Sequence, residues 1–397
     1  MKKWIDRIAR QIFTLSGFVT SVVILLIIGF LFSEGAGLFR QPIVEEGYVL
    51  ALNKSNDVER LSAEQIKQLF DEDITNWKEV GGSDMPVTVF RLEDLDRLYS
   101  ETELGSEYEH AGEKIAEQVR KTPGIIAFVP KMLVEGFDDL HLIPDHTIPV
   151  KDVLLGTEWF PTATPSPIFG IIPLLSGTLW VSFFAILIAL PFGLAISIYL
   201  AEVAPPSVSK VLKPIIELLN GIPSVVYGFF GLAVIVPLLQ QTFNLPVGES
   251  GLAGSLVLAL MALPTIITVA EDAMRNCPRT MREASLALGA TQWQTIYKVV
   301  VPYSISGITS GVVLGIGRAI GETMAVLMVT GNAAVIPTSI LEPLRTIPAT
   351  IAAELGEAPA GGAHYQALFL LGVLLFFITL IINSCVEIVS VRNKTKR

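Results

Sequence analysis

With 397 residues, 51% hydrophobic and only 17% charged, and a mean hydropathy of +0.58, this chain is too apolar for an ordinary soluble protein. Its formal net charge of −10 argues against a nucleic-acid partner. Two cysteines in the whole chain, Cys277 and Cys385, exclude a disulfide scaffold.

The opening MKKWIDRIAR is basic and is followed by an uncharged run over 12–32. That run is too long for a signal peptide and no small-residue cleavage site follows it, so it is expected to stay as a first membrane helix. Further uncharged runs cover 171–201, 221–240, 251–270 and 367–386. About 20 apolar residues cross a bilayer as helix, which makes five spans. A sixth, over 304–330, is interrupted only by Arg318 and Glu322 in the stretch GIGRAIGETMAV. The chain reads as a polytopic α-helical membrane protein with six transmembrane helices.

The segment 33–170 between helices one and two carries 26 acidic against 12 basic side chains, which more than accounts for the net charge. Its periodicity is that of a small α/β unit. GYVLALN, PVTVF and GIIAFVP read as strands, while SAEQIKQLF, capped by Ser62, and GEKIAEQVRK read as helices. Neither cysteine lies here. The return to the membrane, GTEWFPTATPSPIFG, is rich in proline and threonine, and Trp159 is expected to lie at the membrane interface.

Orientation follows from lysine and arginine near the helix ends. Lys2, Lys3, Arg7, Arg10, Lys210, Lys213, Arg275, Arg279, Arg282, Lys298, Arg392, Lys394, Lys396 and Arg397 fall on one side of a six-span topology, whereas the opposite loops 241–250 and 331–366 hold only Arg345. Both termini are therefore expected to be cytoplasmic in an inner-membrane protein, and the insertion extracytoplasmic.

After helix four comes PRTMREASLALGATQWQTIYKVVVP. Pro278 ends one helix, and Thr280 with Glu283 fits a capping box for the next. Met281, Ala284 and Leu288 share a face, Gly289 permits a sharp turn, and Trp293, Ile296 and Val300 form a second apolar stripe. Two short amphipathic helices of this kind suit docking of a soluble partner; equally, they suit a hairpin packed on its own bundle.

Gly307, Gly311, Gly315 and Ala319 recur every four residues, a small-residue stripe that admits a neighbouring helix. Arg318 and Glu322 lie on or beside it. A charge costs about 2.5–3.5 kcal/mol at the centre of an isolated span, so both are expected to face protein or a water-filled path. One alternative is an i,i+4 ion pair that acts only as helix glue. Pro223, Ser224 and Tyr227 in NGIPSVVYG could break helix three, whereas Pro191 and Pro264 are expected to be kinks. The histidines, His110, His141, His146 and His364, are scattered, and no metal site is expected.

Glu283-Ala284-Ser285, followed at the right spacing by Gly289 and by Val301-Pro302, resembles the EAA loop of binding-protein-dependent ABC importer permeases. With IELLNGIPSVVYGFFGL and GETMAVLMVTGN, it resembles the phosphate-specific branch, PstC-type rather than PstA-type, over roughly 155–390. The resemblance implies the type I ABC importer permease fold over 166–397, after a first helix over 1–33 and an insertion over 34–165, with the coupling loop at 278–302. It further implies that Glu283, Ala284, Ser285, Gly289 and Ala290 meet a dimeric cytoplasmic ATPase (PstB-type), and that Arg318, Glu322, Thr323, Ser224 and Tyr227 line an anion path shared with a homologous PstA-type permease. In that reading Arg318 meets the anion and Glu322 holds or neutralises the arginine between passages.

Leu61 to Asp94 and TPGIIAFVP resemble parts of a PstS-type phosphate-binding protein. Where those proteins hold the anion on a Ser-Gly-Thr turn, this chain has the acidic RLEDLDRLYS. The implied role is a lobe that docks the true binding protein, shields the entrance or contacts the partner permease. No GxxxxGK[ST] loop occurs, so ATP and magnesium belong to the ATPase subunit, and this chain is expected to bind no cofactor and to be no enzyme. Two other readings stay open: a permease for molybdate, tungstate or sulfate, and a phosphate-sensing receptor, although no cytoplasmic segment is long enough for an output domain.

Overall fold

The computed structural model describes residues 2–105, 108–144 and 146–395. The chain divides into two compact units, Met1–Gly35 with Ile172–Ala358 and Leu368–Arg397, and Ala36–Ile171 with Pro359–Ala367. The segment 359–367 joins the second unit because Gln41 donates from Nε2 to the Gly361 carbonyl (3.2 Å) and to Gln366 Oε1 (3.0 Å).

Helix α1 (Lys2–Gly37) comes first. The insertion then builds β1 (Tyr48–Asn53), α2 (Ala63–Phe70), β2 (Thr88–Arg91), α3 (Ala111–Lys121), β3 (Ile125–Pro130) and β4 (Leu140–Leu142). Their sheet has the order β2-β3-β1-β4, with β1 antiparallel to β3 and β4, and β2 parallel to β3. The run YVLALN is almost continuously apolar because both faces of β1 are covered. Val49 and Ala51, opposite Val129 and Ala127, face a core that includes Ile115 and Val119 of α3. On the other face Phe128, opposite Leu50, meets Phe70 of α2 edge-on. Ser62 caps α2 as expected, in a full capping box with Gln65. Trp159 departs from its expected place. It pairs with Phe169 in a two-stranded ribbon, β5 (Trp159–Phe160) with β6 (Ile168–Phe169), and is only 2% exposed. Packing within the insertion takes up the indole that composition assigned to the membrane interface.

In the membrane unit, α4 (Ile172–Ile198) runs into one turn of π-helix (Tyr199–Val203). There follow α5 (Pro206–Gly221), α6 (Ser224–Phe230), a π turn (Gly231–Ile235), α7 (Val236–Phe243) and α8 (Gly251–Arg275). Then come α9 (Arg279–Ala287), α10 (Gln292–Thr295), a π turn (Ile296–Val300), α11 (Val301–Gly321), α12 (Met324–Val329), α13 (Ile347–Glu354) and α14 (Ala363–Thr395). Among the described residues six helices are long and apolar enough to cross a membrane: Arg10–Arg40, Ile172–Val203, Ser224–Phe243, Gly251–Arg275, Gln292–Gly321 and Ala363–Ser384. The chain is a multi-pass membrane protein, and the helices stay continuous through Pro191 and Pro264.

The most buried span is α8, which lies between α4 and α11. Small residues make this possible: a Cβ on Gly307 would lie 2.3 Å from that of Ala273, and one on Gly315 would lie 2.9 Å from Ile266. The stripe read from the sequence is thus the seat of α11 on α8. Hydroxyls supplement it, with Ser304 donating to the Ala273 carbonyl (2.9 Å) and Ser255 to that of Val181 (3.2 Å). By contrast, α1 meets α14 through Phe30 on Phe369 and Phe32 on Phe377.

Candidate site at two interrupted helices

The continuous helix expected over 304–330 is not what forms. Helix α11 ends at Gly321; Glu322 is extended (φ −73°, ψ 134°), and a new helix begins at Met324. Glycines at 315, 317 and 321 weaken this stretch as helix. A second helix end lies close by. Helix α5 ends at Gly221, Ile222 is extended (φ −71°, ψ 128°), and α6 starts after Pro223. A proline has no N–H to offer and drives the residue before it out of the helical region. Pro223 therefore sets the start of the third span, Ser224–Phe243, which is not broken; the residues before it form a separate helix, α5, that is not among the candidate spans.

The two helix ends share a neighbourhood. Arg318 donates from Nη1 to Asn220 Oδ1 (2.5 Å), and Tyr227 donates its hydroxyl to the carbonyl of Leu219 (2.8 Å). Both bonds end on the last turn of α5, where carbonyls lack helical partners. A Cβ on Gly228 would lie 3.0 Å from the Ala325 Cα, so α6 and α12 are in close backbone approach. Both non-helical stretches lie at the ends of candidate spans, Ile222 just before Ser224–Phe243 and Glu322 just after Gln292–Gly321. Of the five expected path residues, Arg318 and Tyr227 both bond to the last turn of α5, Glu322 and Thr323 follow the end of α11, and Ser224 is the first residue of α6. Arg318 and Glu322 are half-buried. They form no ion pair among the described residues; the helix stops one residue short of Glu322, whose carboxylate instead accepts the Thr323 N–H (3.2 Å). The i,i+4 alternative is therefore not realised.

In the coupling loop, α9 is followed by Gly289 at φ +84°, the left-handed turn that favours glycine. The expected Thr280–Glu283 cap is absent: Pro278 precedes the helix and Thr280 lies within it. The capping box forms instead at the next helix, between Thr291 and Gln294. That second helix is not a free one; it runs through Ile296 and Val300, both buried, into α11. Leu288 (90% exposed), Trp293 (62%) and Met281 form the outward apolar surface, near which Glu283, Ala284 and Gly289 are exposed and Ser285 and Ala290 half-buried. The hydroxyls of Ser285 and Thr295 lie 2.9 Å apart and hold the loop closed.

Sequence reasoning missed the groups behind this loop. Arg282 donates from Nη2 to Glu202 Oε1 (2.6 Å) and to the Met274 carbonyl (2.8 Å). Glu271, 3% exposed, accepts from Arg275 Nε (2.6 Å) and from Lys213 Nζ of α5 (2.8 Å). The Glu271/Arg275 spacing at the end of an apolar run was the available signal; Lys213 and Glu202 gave none. Asn220 was missed as well, its partner being 98 residues away.

In the insertion, Asp94 accepts the Arg91 backbone N–H (2.8 Å), and Glu103 accepts the Ser100 N–H (3.0 Å) and hydroxyl (2.8 Å). The backbone N–H of Ser100, then its hydroxyl, holds the Glu103 carboxyl below the usual carboxylate range. Both carboxylates thus cap the starts of short helices. No group of three or more His, Cys, Asp or Glu among the described residues is placed to hold a metal ion.

Comparison with known proteins adds two matches to families. The family of binding-protein-dependent transport system inner membrane components matches residues 193–394, and the PBP superfamily domain matches residues 30–130. The probable ABC transporter permease protein YqgH of Bacillus subtilis is 42% identical over 243 residues, 61% of this chain and 78% of that protein. The phosphate transport system permease protein PstC of Mesorhizobium japonicum is 38% identical over 248 residues, 58% of this chain and 75% of that protein. A solved structure of inward-facing MetNI methionine ABC transporter aligns at 19% identity and a TM-score of 0.44, over 56% of this chain and 96% of that one. Over the part that carries both helix ends and the coupling loop, the chain belongs to the family of binding-protein-dependent transport system inner membrane components.

Proposed function

We propose that this chain is a membrane-spanning permease subunit of an ATP-driven phosphate importer. One observation carries the reading: a half-buried arginine, free of any carboxylate partner among the described residues, stands near the end of one candidate span and is bonded to the short helix that leads into another. A guanidinium presents a rigid fork of donors that suits a tetrahedral oxyanion, and relatives named for phosphate transport point to which one. Glu322, Thr323, Ser224 and Tyr227 complete the path; Glu322 takes up the arginine between passages.

Family membership brings an ATPase, a substrate-binding protein and a second permease as partners. In this reading they are of the PstB, PstS and PstA types, and ATP with magnesium is used by the ATPase alone. Both termini and the coupling loop face the cytoplasm. The ATPase grips the outward apolar surface of Leu288 and Trp293 through the EAA loop. Its closure pulls α9, which Arg282 ties to Glu202 and to the end of α8. A loaded binding protein docks outside and delivers phosphate to Arg318. The insertion, strongly acidic, repels the anion, and serves to dock the binding protein, shield the entrance or meet the partner permease.

The test is uptake of radiolabelled phosphate by the four-component transporter in proteoliposomes, with sulfate, molybdate and tungstate as competitors. Arg318→Gln is expected to abolish uptake while ATP hydrolysis survives, and unlabelled phosphate to be the strongest competitor. Normal transport by Arg318→Gln would remove the arginine from the path, and stronger competition by another oxyanion would change the substrate.

A further inference from the structure

Arg318 differs from other arginines of the membrane unit in the kind of group it is bonded to. Arg275 donates to Glu271, Arg282 to Glu202 and Arg345 to Glu354, each at 2.6 Å. In those three a carboxylate matches the cation. Arg318 donates to the amide oxygen of Asn220. An amide oxygen accepts a hydrogen bond yet brings no charge. A guanidinium has five N–H donors; among the described residues one is engaged, and no carboxylate offsets the positive charge.

Asn220 is exposed, and its place is set by the backbone of α5. It sits on the last turn of α5, beside the Leu219 carbonyl that accepts the Tyr227 hydroxyl. Two residues on, Ile222 and Pro223 end the helix. Seven residues earlier Lys213 anchors the same helix to the buried Glu271. The helix that carries the acceptor is thus tied to its neighbours near both ends, at Lys213 and at the Leu219 carbonyl.

We propose that Asn220 is a positioning residue of the anion path, whose neutral amide oxygen aims the Arg318 guanidinium without neutralising it. This rests on the reading of Arg318 as the group that meets the anion. An aspartate would keep the shape and the hydrogen bond but add an ion pair, which every passing oxyanion would have to break. An alanine would keep the charge free but let the long side chain search many rotamers.

These two substitutions separate the idea from a structural role. Phosphate uptake and ATP hydrolysis are measured on the complete reconstituted transporter with Asn220→Ala, Asn220→Asp, Asn220→Ser and Arg318→Gln, at matched amounts of assembled complex. Asn220→Ala is expected to raise KM for phosphate about tenfold, as loss of one hydrogen bond to a charged group would, with maximal uptake and ATP hydrolysis little changed. Asn220→Asp is expected to transport worse than Asn220→Ala, and Asn220→Ser, neutral and smaller, to rank between wild type and alanine. A structural bond predicts the reverse order, because aspartate restores the contact that alanine deletes. Wild-type transport by Asn220→Asp, or equal loss in the aspartate and alanine variants, overturns the proposal. If Arg318→Gln is inactive while Asn220→Asp matches wild type, this proposal alone fails; if Arg318→Gln transports normally, the reading beneath it fails.

Discussion

Replacing Gly307 with alanine tests how α11 is seated on α8. The new methyl would lie 2.3 Å from the Cβ of Ala273, whereas carbon atoms in good contact sit at about 3.5–4.0 Å. The helices would have to part by roughly 1.5 Å, and because the Ala273 Cβ is fixed to its backbone, no rotamer change can absorb the clash. Overpacking of this kind costs about 1–3 kcal/mol, offset in part by about 1 kcal/mol of helix propensity gained when glycine becomes alanine. Gly317→Ala removes the propensity term from the comparison, since its nearest neighbour would be Asn383 Oδ1 at 4.0 Å. The difference between the two variants therefore isolates the packing term. Thermal unfolding of detergent-solubilised protein should place Gly307→Ala several degrees below Gly317→Ala, with Gly317→Ala at or above wild type. If the two variants melt together, α11 does not rest on α8 through its glycines and the stripe has been misread.

Glu271→Ala should destabilise the membrane unit by about 1–3 kcal/mol, the lower part being favoured because Lys213 and Arg275 are each a third or more exposed and solvent screens them once unpaired; Glu271→Gln, measured by the same melt, should recover part of the loss. In the insertion, hydrogen bonds from Arg120 hold the Asp139 carboxyl below its usual range. A depressed carboxylate contributes stability that is complete above the unfolded value, near 3.8, and is lost as pH falls through the folded one. Proteolysis of the insertion should therefore be insensitive to pH above about 5 and quicken below it, with Asp139→Asn removing that component of the acid sensitivity. A wild-type pH profile in the Asp139→Asn variant would assign the acid sensitivity to other carboxylates.

The parts legible in the sequence were those with a local cause. Long uncharged runs gave the spans, Ser62 with Gln65 marked the start of a helix, and a glycine every four residues announced the close approach of α11 to another helix. Gly289 marked its turn because few other residues adopt a positive φ. The parts that stayed hidden depend on partners far away in the chain. Trp159 was assigned to an interface by composition, yet Phe169 and the strand pairing of the insertion bury it. Thr280 and Glu283 have the spacing of a cap, but Pro278 already sets the entry to α9, and Glu283 faces outward. The interruption after Gly321 was hidden for a different reason: GIGRAIGETMAV is apolar enough to pass for one helix, and its glycines weaken that helix without dictating where it stops.

If the coupling loop and Arg318 act as proposed, the hidden contacts give a route between them. Arg282 joins α9 to Glu202 at the end of α4 and to the Met274 carbonyl near the end of α8. One turn before Arg275 on α8, Glu271 reaches across to Lys213 on α5, and seven residues later α5 presents Asn220 to Arg318. Seven residues of helix span about 10 Å, and Pro223 ends the element. On the proposed function, a pull on α9 would be delivered through these charge-assisted bonds and α5. Contiguity of this kind is a physical route only if both ends bias the same element. The variants separate the two ends: Glu271→Ala should loosen α5 and weaken the link between ATP hydrolysis and transport, whereas Asn220→Ala should leave hydrolysis nearly intact and alter the response to phosphate. Identical effects from both would mean that α5 is a passive spacer and that the pull travels along α8 and α11 alone.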